Sequence, residues 1–151
     1  MLKLFIPPPA YMVIFAISMW FLDKNYPLAE ILFAPWNKIG FIIIGLALLL
    51  DLSSLFLFFK RKTTPNPFVP KNASKLVTSG LYRYTRNPMY LGLAIVLTGW
   101  AIYLGSLSPF LLIPIFIVVL TVQQICPEEE ILSEKFGQDY IDYKESVRRW
   151  L

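Results

Sequence analysis

Long uncharged apolar runs alternate with short charged segments along this chain. The apolar runs lie near residues 9–22, 39–59, 88–105 and 107–126. A helix needs about 20 mainly apolar residues, within a range of about 17–25, to cross the hydrocarbon core of a bilayer. The pattern therefore predicts four transmembrane helices. The first is short and begins after Pro7 and Pro8, because proline suits a first helical turn and disrupts a helix interior.

The charged segments predict how these helices are oriented. Seven lysines and arginines and no acid lie in the loop 60–87, whereas the loop 23–38 carries two basic residues. Loops rich in lysine and arginine usually stay in the cytoplasm. We therefore expect the 60–87 loop, the N-terminus and the C-terminus all to be cytoplasmic, which agrees with an even number of spans.

The segment 127–150 predicts an amphipathic cytoplasmic helix. Its apolar residues recur at spacings of four, four, three and four, which places them on one helical face. They are Leu132, Phe136, Tyr140, Tyr143 and Val147. The expected fold is thus all-α: residues 1–151 form a single multi-pass membrane domain with about four transmembrane helices and one C-terminal amphipathic helix. The oligomeric state stays open.

Composition narrows the possible chemistry. Hydrophobic residues make up 56% of the chain, and there is no histidine and one cysteine. Soluble proteins average about 45–50% apolar residues. Without histidine there is no Ser-His or Cys-His nucleophile and no His-containing zinc site, so we expect no metal. The charges, +4 in total, are segregated along the chain, which favours a membrane over a nucleic acid as partner.

The stretch LVTSGLYRYTRNPMYLG, residues 76–92, carries the first candidate site. Asn87 and Pro88 predict a helix start, because asparagine caps helices and proline suits the first turn. A helix start favours anions, and Arg86 adds a fork of donors suited to carboxylate or phosphate. Tyr82 and Tyr90 lie nearby, as does a third tyrosine, Tyr84. The alternative is a basic membrane anchor with an aromatic belt.

Three adjacent carboxylates follow Pro127 and carry the second candidate site. Glu128 precedes Leu132 by four residues, so we expect it to face inward, where it would hold an ammonium group or pair with Arg86. Glu130 is expected to face away and to interact only with the helix dipole.

Asp51 falls near the middle of the second apolar run. An acid in a membrane span usually has a function. A polar cavity, a protonated side chain and a bond to a neighbouring helix all remain open for it. Gly92 and Gly99 share a face of the third helix, and small residues there usually permit close helix packing.

These two stretches resemble the isoprenylcysteine carboxyl methyltransferases and their phospholipid methyltransferase relatives. The pattern is roughly L-V-x-x-G-x-Y-x-x-x-R-H-P-x-Y-x-G followed by E-E-x-x-L-x-x-x-F-G-x-x-Y-x-x-Y, and it covers the chain from Pro70 onward. Both motifs occur in order and with matching spacing. The resemblance implies an integral membrane enzyme that uses S-adenosylmethionine to methylate a lipophilic acceptor, such as a prenylcysteine-like carboxylate, a lipid amine or a small hydrophobic molecule.

The resemblance also implies roles for individual residues. Glu128 would bind the amino-acid end of S-adenosylmethionine, and Arg86 and Glu128 are the expected catalytic residues. Gln124 is the expected substrate contact. The other residues expected to contact the cofactor are Lys75, Leu76, Val77, Tyr82, Asn87, Pro88, Met89 and Tyr90.

Two departures from the family pattern keep other functions open. Asn87 stands where the family usually has histidine, and Gln124 stands where the prenylcysteine enzymes have an arginine that contacts the substrate carboxylate. A sterol-reductase-like NADPH enzyme shares a similar Arg-His-Pro-x-Tyr motif. A non-catalytic membrane protein that keeps the fold is the third possibility.

Overall fold

The computed structural model describes residues 6–61 and 76–151, and the regular secondary structure among these residues is all helical. They form α1 (Pro8–Asn25), α2 (Ile39–Arg61) after a 3-10 turn at Trp36–Lys38, and α3 (Pro88–Leu104) after another at Gly80–Arg83. A continuous helical stretch then runs from a 3-10 turn at Ser108–Leu111 through α4 (Leu112–Leu120) and a π-helical turn at Thr121–Ile125 into α5 (Cys126–Phe136). The last helix is α6 (Gln138–Ser146).

The predicted spans are all helices, but they differ in length from the prediction. Two described helices are long and apolar enough to cross a membrane, Trp36–Leu57 and Ser108–Phe136. The helix Pro88–Leu104 is apolar but shorter. Crossing of the membrane by four helices therefore remains a prediction.

The predicted single helix over 127–150 was wrong. The preceding helix continues without a break to Phe136, and Gly137 then interrupts the path with a φ of 55° and a ψ of −127°. Residues other than glycine rarely adopt this backbone conformation. Two shorter helices result, α5 and α6. Of the predicted apolar face, Tyr140 and Tyr143 are buried.

The core lies where α1, α3 and α4 meet. Its fully buried members include Met19 from α1, Leu97 from α3 and Phe116 from α4. The Trp100 indole N–H donates to the Ala16 carbonyl at 3.0 Å, which fixes α3 against α1. Buried apolar side chains of this kind give the three helices a common packing surface.

The helix α2 packs on α3 through small residues and is otherwise largely exposed. A Cβ atom added to Gly99 would lie 2.7 Å from the carbonyl oxygen of Gly40, so glycine permits the close approach. In the helix Trp36–Leu57, which includes most of α2, the most apolar stretch of 18 residues has a mean hydropathy of 2.3. Only 17% of this stretch is buried. An apolar surface of this size is typical of a helix that faces lipid.

Candidate active site

The turn before α3 is the centre of the candidate site. Gly80 has a φ of 65°, which favours glycine, and Leu57 of α2 packs against it. The turn buries Tyr82, whose carbonyl accepts a 2.7 Å hydrogen bond from the buried hydroxyl of Tyr143 in α6. The site is thereby assembled from the turn, from α3 and from the last part of the chain.

The helix α3 begins at Pro88, as predicted. Asn87 holds the N-cap position, but its side chain makes no capping bond. Its Nδ2 instead donates to the carbonyl of Arg149 at 3.0 Å. The predicted cap was therefore correct in position and wrong in bonding, because the side chain is bound to the segment after α6 instead.

Glu129 joins the cationic side chains of the site. Arg149 donates from Nε to Oε1 at 3.0 Å and from Nη2 to Oε2 at 2.8 Å. Arg86 approaches Oε1 through Nη2 at 3.1 Å, and Lys144 Nζ lies 3.9 Å from Oε2. The side chains of Glu129 and Arg86 are only 7% and 9% exposed, so this pair is shielded from water.

Arg86 retains donors that no described group accepts. Its Nε and Nη1 atoms are buried and make no hydrogen bond in the described residues. A buried donor without an acceptor costs about 1–3 kcal/mol, and more when the group is charged. The arrangement is therefore suited to an anionic group that binds beside the start of α3, where free backbone N–H groups also favour negative charge.

Glu128 takes a different partner. Its Oε1 accepts a 2.5 Å hydrogen bond from the hydroxyl of Tyr90, in the first turn of α3. Glu128 thus faces α3. Of the two roles predicted for it, the pair with Arg86 is not formed, since Arg86 pairs with Glu129. Glu130 is exposed, as expected.

Glu129 was missed because the inward face of α5 was assigned to Glu128 from its four-residue spacing to Leu132, and the π-helical turn places Glu129 in a buried position as well. Extending an α-helical period from Gln124 places Glu128 on the same face, four residues later. A π-helical turn closes i→i+5 hydrogen bonds and so shifts the facing of the following residues by about one position. Gln124 and Glu129, five residues apart, are both buried. Pro127 is the signal for this turn, because proline within a helix clashes with the preceding turn unless the helix widens.

Burial favours the neutral form of Tyr82 and Tyr143, and a hydrogen bond favours the charged form of Arg149. Burial, with smaller contributions from Tyr143, Glu128 and Asp51, raises the pKa of Tyr82 above its ordinary value of 10.0. Burial likewise raises the pKa of Tyr143. The hydrogen bond to Glu129 raises the pKa of Arg149. Each of these side chains therefore keeps its protonated form at neutral pH.

Asp51 lies against Gly92 at the interface between α2 and α3. A Cβ atom added to Gly92 would collide with the Asp51 carboxyl group, so glycine leaves the room that this carboxyl occupies. The Oδ1 atom is buried and makes no hydrogen bond in the described residues. Three possibilities were left open for Asp51: a polar cavity, a protonated side chain and a bond to a neighbouring helix. The Oδ1 atom does not form such a bond with the described residues.

The remaining predicted residues lie in different surroundings. Val77 is buried and Leu76 half-buried in the extended segment before the turn, and Met89 is half-buried at the start of α3. Gln124 is fully buried, and its Nε2 donates to the Ile6 carbonyl at 2.7 Å. Lys75 lies outside the described residues.

An open depression of about 430 Å³ adjoins Glu129 on the surface formed by α5 and α6. None of the described residues that were predicted to contact the cofactor lines this depression. Its lining residues are Cys126, Glu129, Glu130, Ser133, Glu134, Lys144 and Arg149.

Comparison with known families now identifies the group to which these features belong. A family described as phospholipid methyltransferase matches residues 36–139, from the turn before α2 into α6. The chain belongs to the phospholipid methyltransferase family. The match includes Arg86, Glu128 and Glu129 and ends before Arg149. Membership in this family, together with the two long apolar helices, indicates a membrane protein.

Individual relatives agree with this family. An uncharacterized protein of Haemophilus influenzae is 46% identical over 63 residues, which are 42% of this chain and 100% of the relative. The protein-S-isoprenylcysteine O-methyltransferases of Schizosaccharomyces pombe and Dictyostelium discoideum are 36% and 37% identical over 72 and 79 residues. The match covers 48% of this chain but only 30% of each of these two enzymes. No solved structure matches the chain.

Proposed function

We propose that this protein is an integral membrane methyltransferase that transfers a methyl group from S-adenosylmethionine to a lipophilic acceptor. The observation that carries the proposal is Arg86, a nine-tenths buried arginine with two unpaired donors at the start of α3. Arg86 and the Tyr90–Glu128 pair both lie within the segment that matches the methyltransferase family.

The described residues fit the charged groups of S-adenosylmethionine. The free Nε and Nη1 of Arg86 suit the carboxylate of its amino-acid end, because guanidinium binds carboxylates through two parallel donors. The Glu128 carboxylate suits the ammonium group. The aromatic faces of Tyr82 and Tyr90 suit a cation or a flat ring. Arg86 and Glu128 thus offer a guanidinium group with free donors and a carboxyl group to the two ends of a zwitterion.

The sulfonium of the bound cofactor supplies an activated methyl group. The residues of the chain then have to bind the cofactor, orient it toward the acceptor and shield both from water. Arg86 and Glu128 are held in place by Glu129 and Tyr90, and the burial of this cluster limits water. Orientation of two reacting groups supplies about 7–11 kcal/mol of barrier reduction in favourable cases. An amine or thiol acceptor has to lose a proton, for which the Glu128 carboxyl group is a candidate base.

The acceptor enters from the bilayer in this proposal, while the cofactor enters from the cytoplasm. The basic loop 60–87 supports a cytoplasmic site, and the exposed apolar surface of α2 supports contact with lipid. Gln124 offers a buried amide in place of a charge, and its Oε1 is unpaired among the described residues. An unpaired acceptor atom suits a hydrogen-bond donor better than a carboxylate.

Binding of S-adenosylhomocysteine to the purified protein in detergent tests the proposal. Calorimetry should detect binding of S-adenosylhomocysteine to the wild-type protein and should detect no binding of NADPH. Arg86→Ala and Glu128→Gln should each weaken binding at least tenfold, because each removes one charge that faces the zwitterion. Glu130→Gln is the matched control and should bind like the wild type, since Glu130 is exposed. A wild-type protein that binds NADPH, or that does not bind S-adenosylhomocysteine, would refute the proposal.

A further inference from the structure

The segment after α6 crosses the start of α3 and touches the candidate site at several points. It leaves α6 in an extended conformation at Val147, with a φ of −128° and a ψ of 133°. The N–H of Arg86 donates to the carbonyl of Arg148 at 3.0 Å, and Thr85 Oγ1 donates to that of Arg149 at 3.2 Å. The Trp150 indole N–H donates to Thr121 Oγ1 at 3.2 Å, within the π-helical turn.

Within this segment, Arg149 binds Glu129 in a way that limits Arg86. Its Nε and Nη2 occupy both carboxylate oxygens at 3.0 and 2.8 Å, which is the paired geometry that arginine prefers with a carboxylate. Arg86 therefore meets the same carboxylate through Nη2 alone, at 3.1 Å. Its Nε and Nη1 remain buried and unpaired.

We infer that Arg149 is a positioning residue for the ligand-binding arginine. By holding both oxygens of Glu129, it prevents Arg86 from forming its own two-donor pair with this carboxylate. The two free donors of Arg86 then stay available for the carboxylate of the bound cofactor. This inference rests on the proposed function, and it gives a role to a residue beyond the segment that matches the family.

Two ligands distinguish a positioning role of Arg149 from a purely structural one. Loss of a positioning residue weakens binding only of the ligand that Arg86 contacts, whereas loss of structure weakens binding of both. S-adenosylhomocysteine carries the carboxylate that Arg86 would receive, whereas 5′-methylthioadenosine has the same nucleoside but no amino-acid end. Loss of Arg149 frees Arg86 to close on Glu129 and withdraws its donors. Binding of the first compound should suffer, and binding of the second should not.

The test measures both affinities by calorimetry on Arg149→Gln, Arg149→Lys and Trp150→Phe proteins purified in detergent. We expect Arg149→Gln to weaken binding of S-adenosylhomocysteine at least tenfold and to change that of 5′-methylthioadenosine less than twofold. Arg149→Lys keeps the charge but engages one oxygen at a time. Its affinity for S-adenosylhomocysteine should therefore lie between those of the wild type and of Arg149→Gln. Trp150→Phe keeps an aromatic ring in the same segment and loses the indole bond, so both affinities should stay within twofold of the wild type.

The possible failures are distinguishable. If wild-type protein binds neither compound, the proposed function is wrong. If wild-type protein binds both and Arg149→Gln weakens both equally, or weakens neither, the positioning role is wrong. If Arg149→Gln does not fold, as judged by far-UV circular dichroism, Arg149→Lys carries the same comparison.

Discussion

Replacing Glu129 with glutamine removes the carboxylate that faces Arg86, Arg149 and Lys144. The side chains of Glu129 and Arg86 are 7% and 9% exposed, so their pair is buried. Breaking a buried pair from one side costs about 3–5 kcal/mol, because the other charge stays buried without compensation. The side chains of Arg149 and Lys144 are 37% and 38% exposed, and such pairs add about 0–1 kcal/mol each. The amide oxygen of glutamine still accepts one bond, so we expect a net loss of about 3 kcal/mol in the free energy of unfolding.

The neighbouring glutamates provide matched controls for Glu129→Gln. Glu130→Gln changes an exposed side chain and should stay within about 0.5 kcal/mol of the wild type. Glu128→Gln weakens one hydrogen bond, to Tyr90, and should cost about 1 kcal/mol. The free energies come from equilibrium unfolding in mixed micelles, followed by far-UV circular dichroism. The difference should persist in 0.5 M salt, since ions screen buried pairs poorly. A Glu129→Gln protein as stable as Glu130→Gln would refute the reasoning.

Two further predictions follow from the packing. Gly92→Ala should destabilise the protein by about 1–3 kcal/mol, because the added methyl group meets the Asp51 carboxyl, and adding Asp51→Ala should recover most of this loss in the same unfolding assay. Gly45→Ala is the control, since a methyl group there meets nothing within 4 Å. Burial raises the pKa of Tyr143 above 10.0, so the unfolded state ionises first and stability falls as the pH rises above about 10. Tyr143→Phe should flatten this decline between pH 9 and pH 11, and an unchanged slope would contradict the assignment.

The positions of the helices could be predicted from the sequence because local signals set them. The start of α3 at Pro88 follows from proline at the first helical position, and α2 follows from one long apolar run. The face presented by α5 could be predicted only in part. The four-residue spacing to Leu132 selected Glu128, which does face α3, whereas the burial of Glu129 beside it depends on the π-helical turn before Pro127.

The partners within the candidate site were the least predictable part. Arg86 and Glu128 were recognised from their motifs, but Glu129 and Arg149 became visible only in the folded chain. The bond between Glu129 and Arg149 joins residues 20 positions apart, across the break at Gly137. Local propensities carry no information on such a pair, because its geometry depends on where Gly137 turns the chain.

The opposite end of the α2–α3 pair is tied by hydrogen bonds of the connecting segments and of the turn before α2. The N–H of Ile31 donates to the carbonyl of Gly105 at 2.8 Å, and that of Leu107 donates to the carbonyl of Ala29 at 2.9 Å. Asn37 Nδ2 donates to the Tyr103 carbonyl at 2.9 Å, just before α2 begins. These bonds hold the N-terminal end of α2 beside the C-terminal end of α3, so that end of the pair is joined through its connecting segments as well as through the glycine contacts of the two helices.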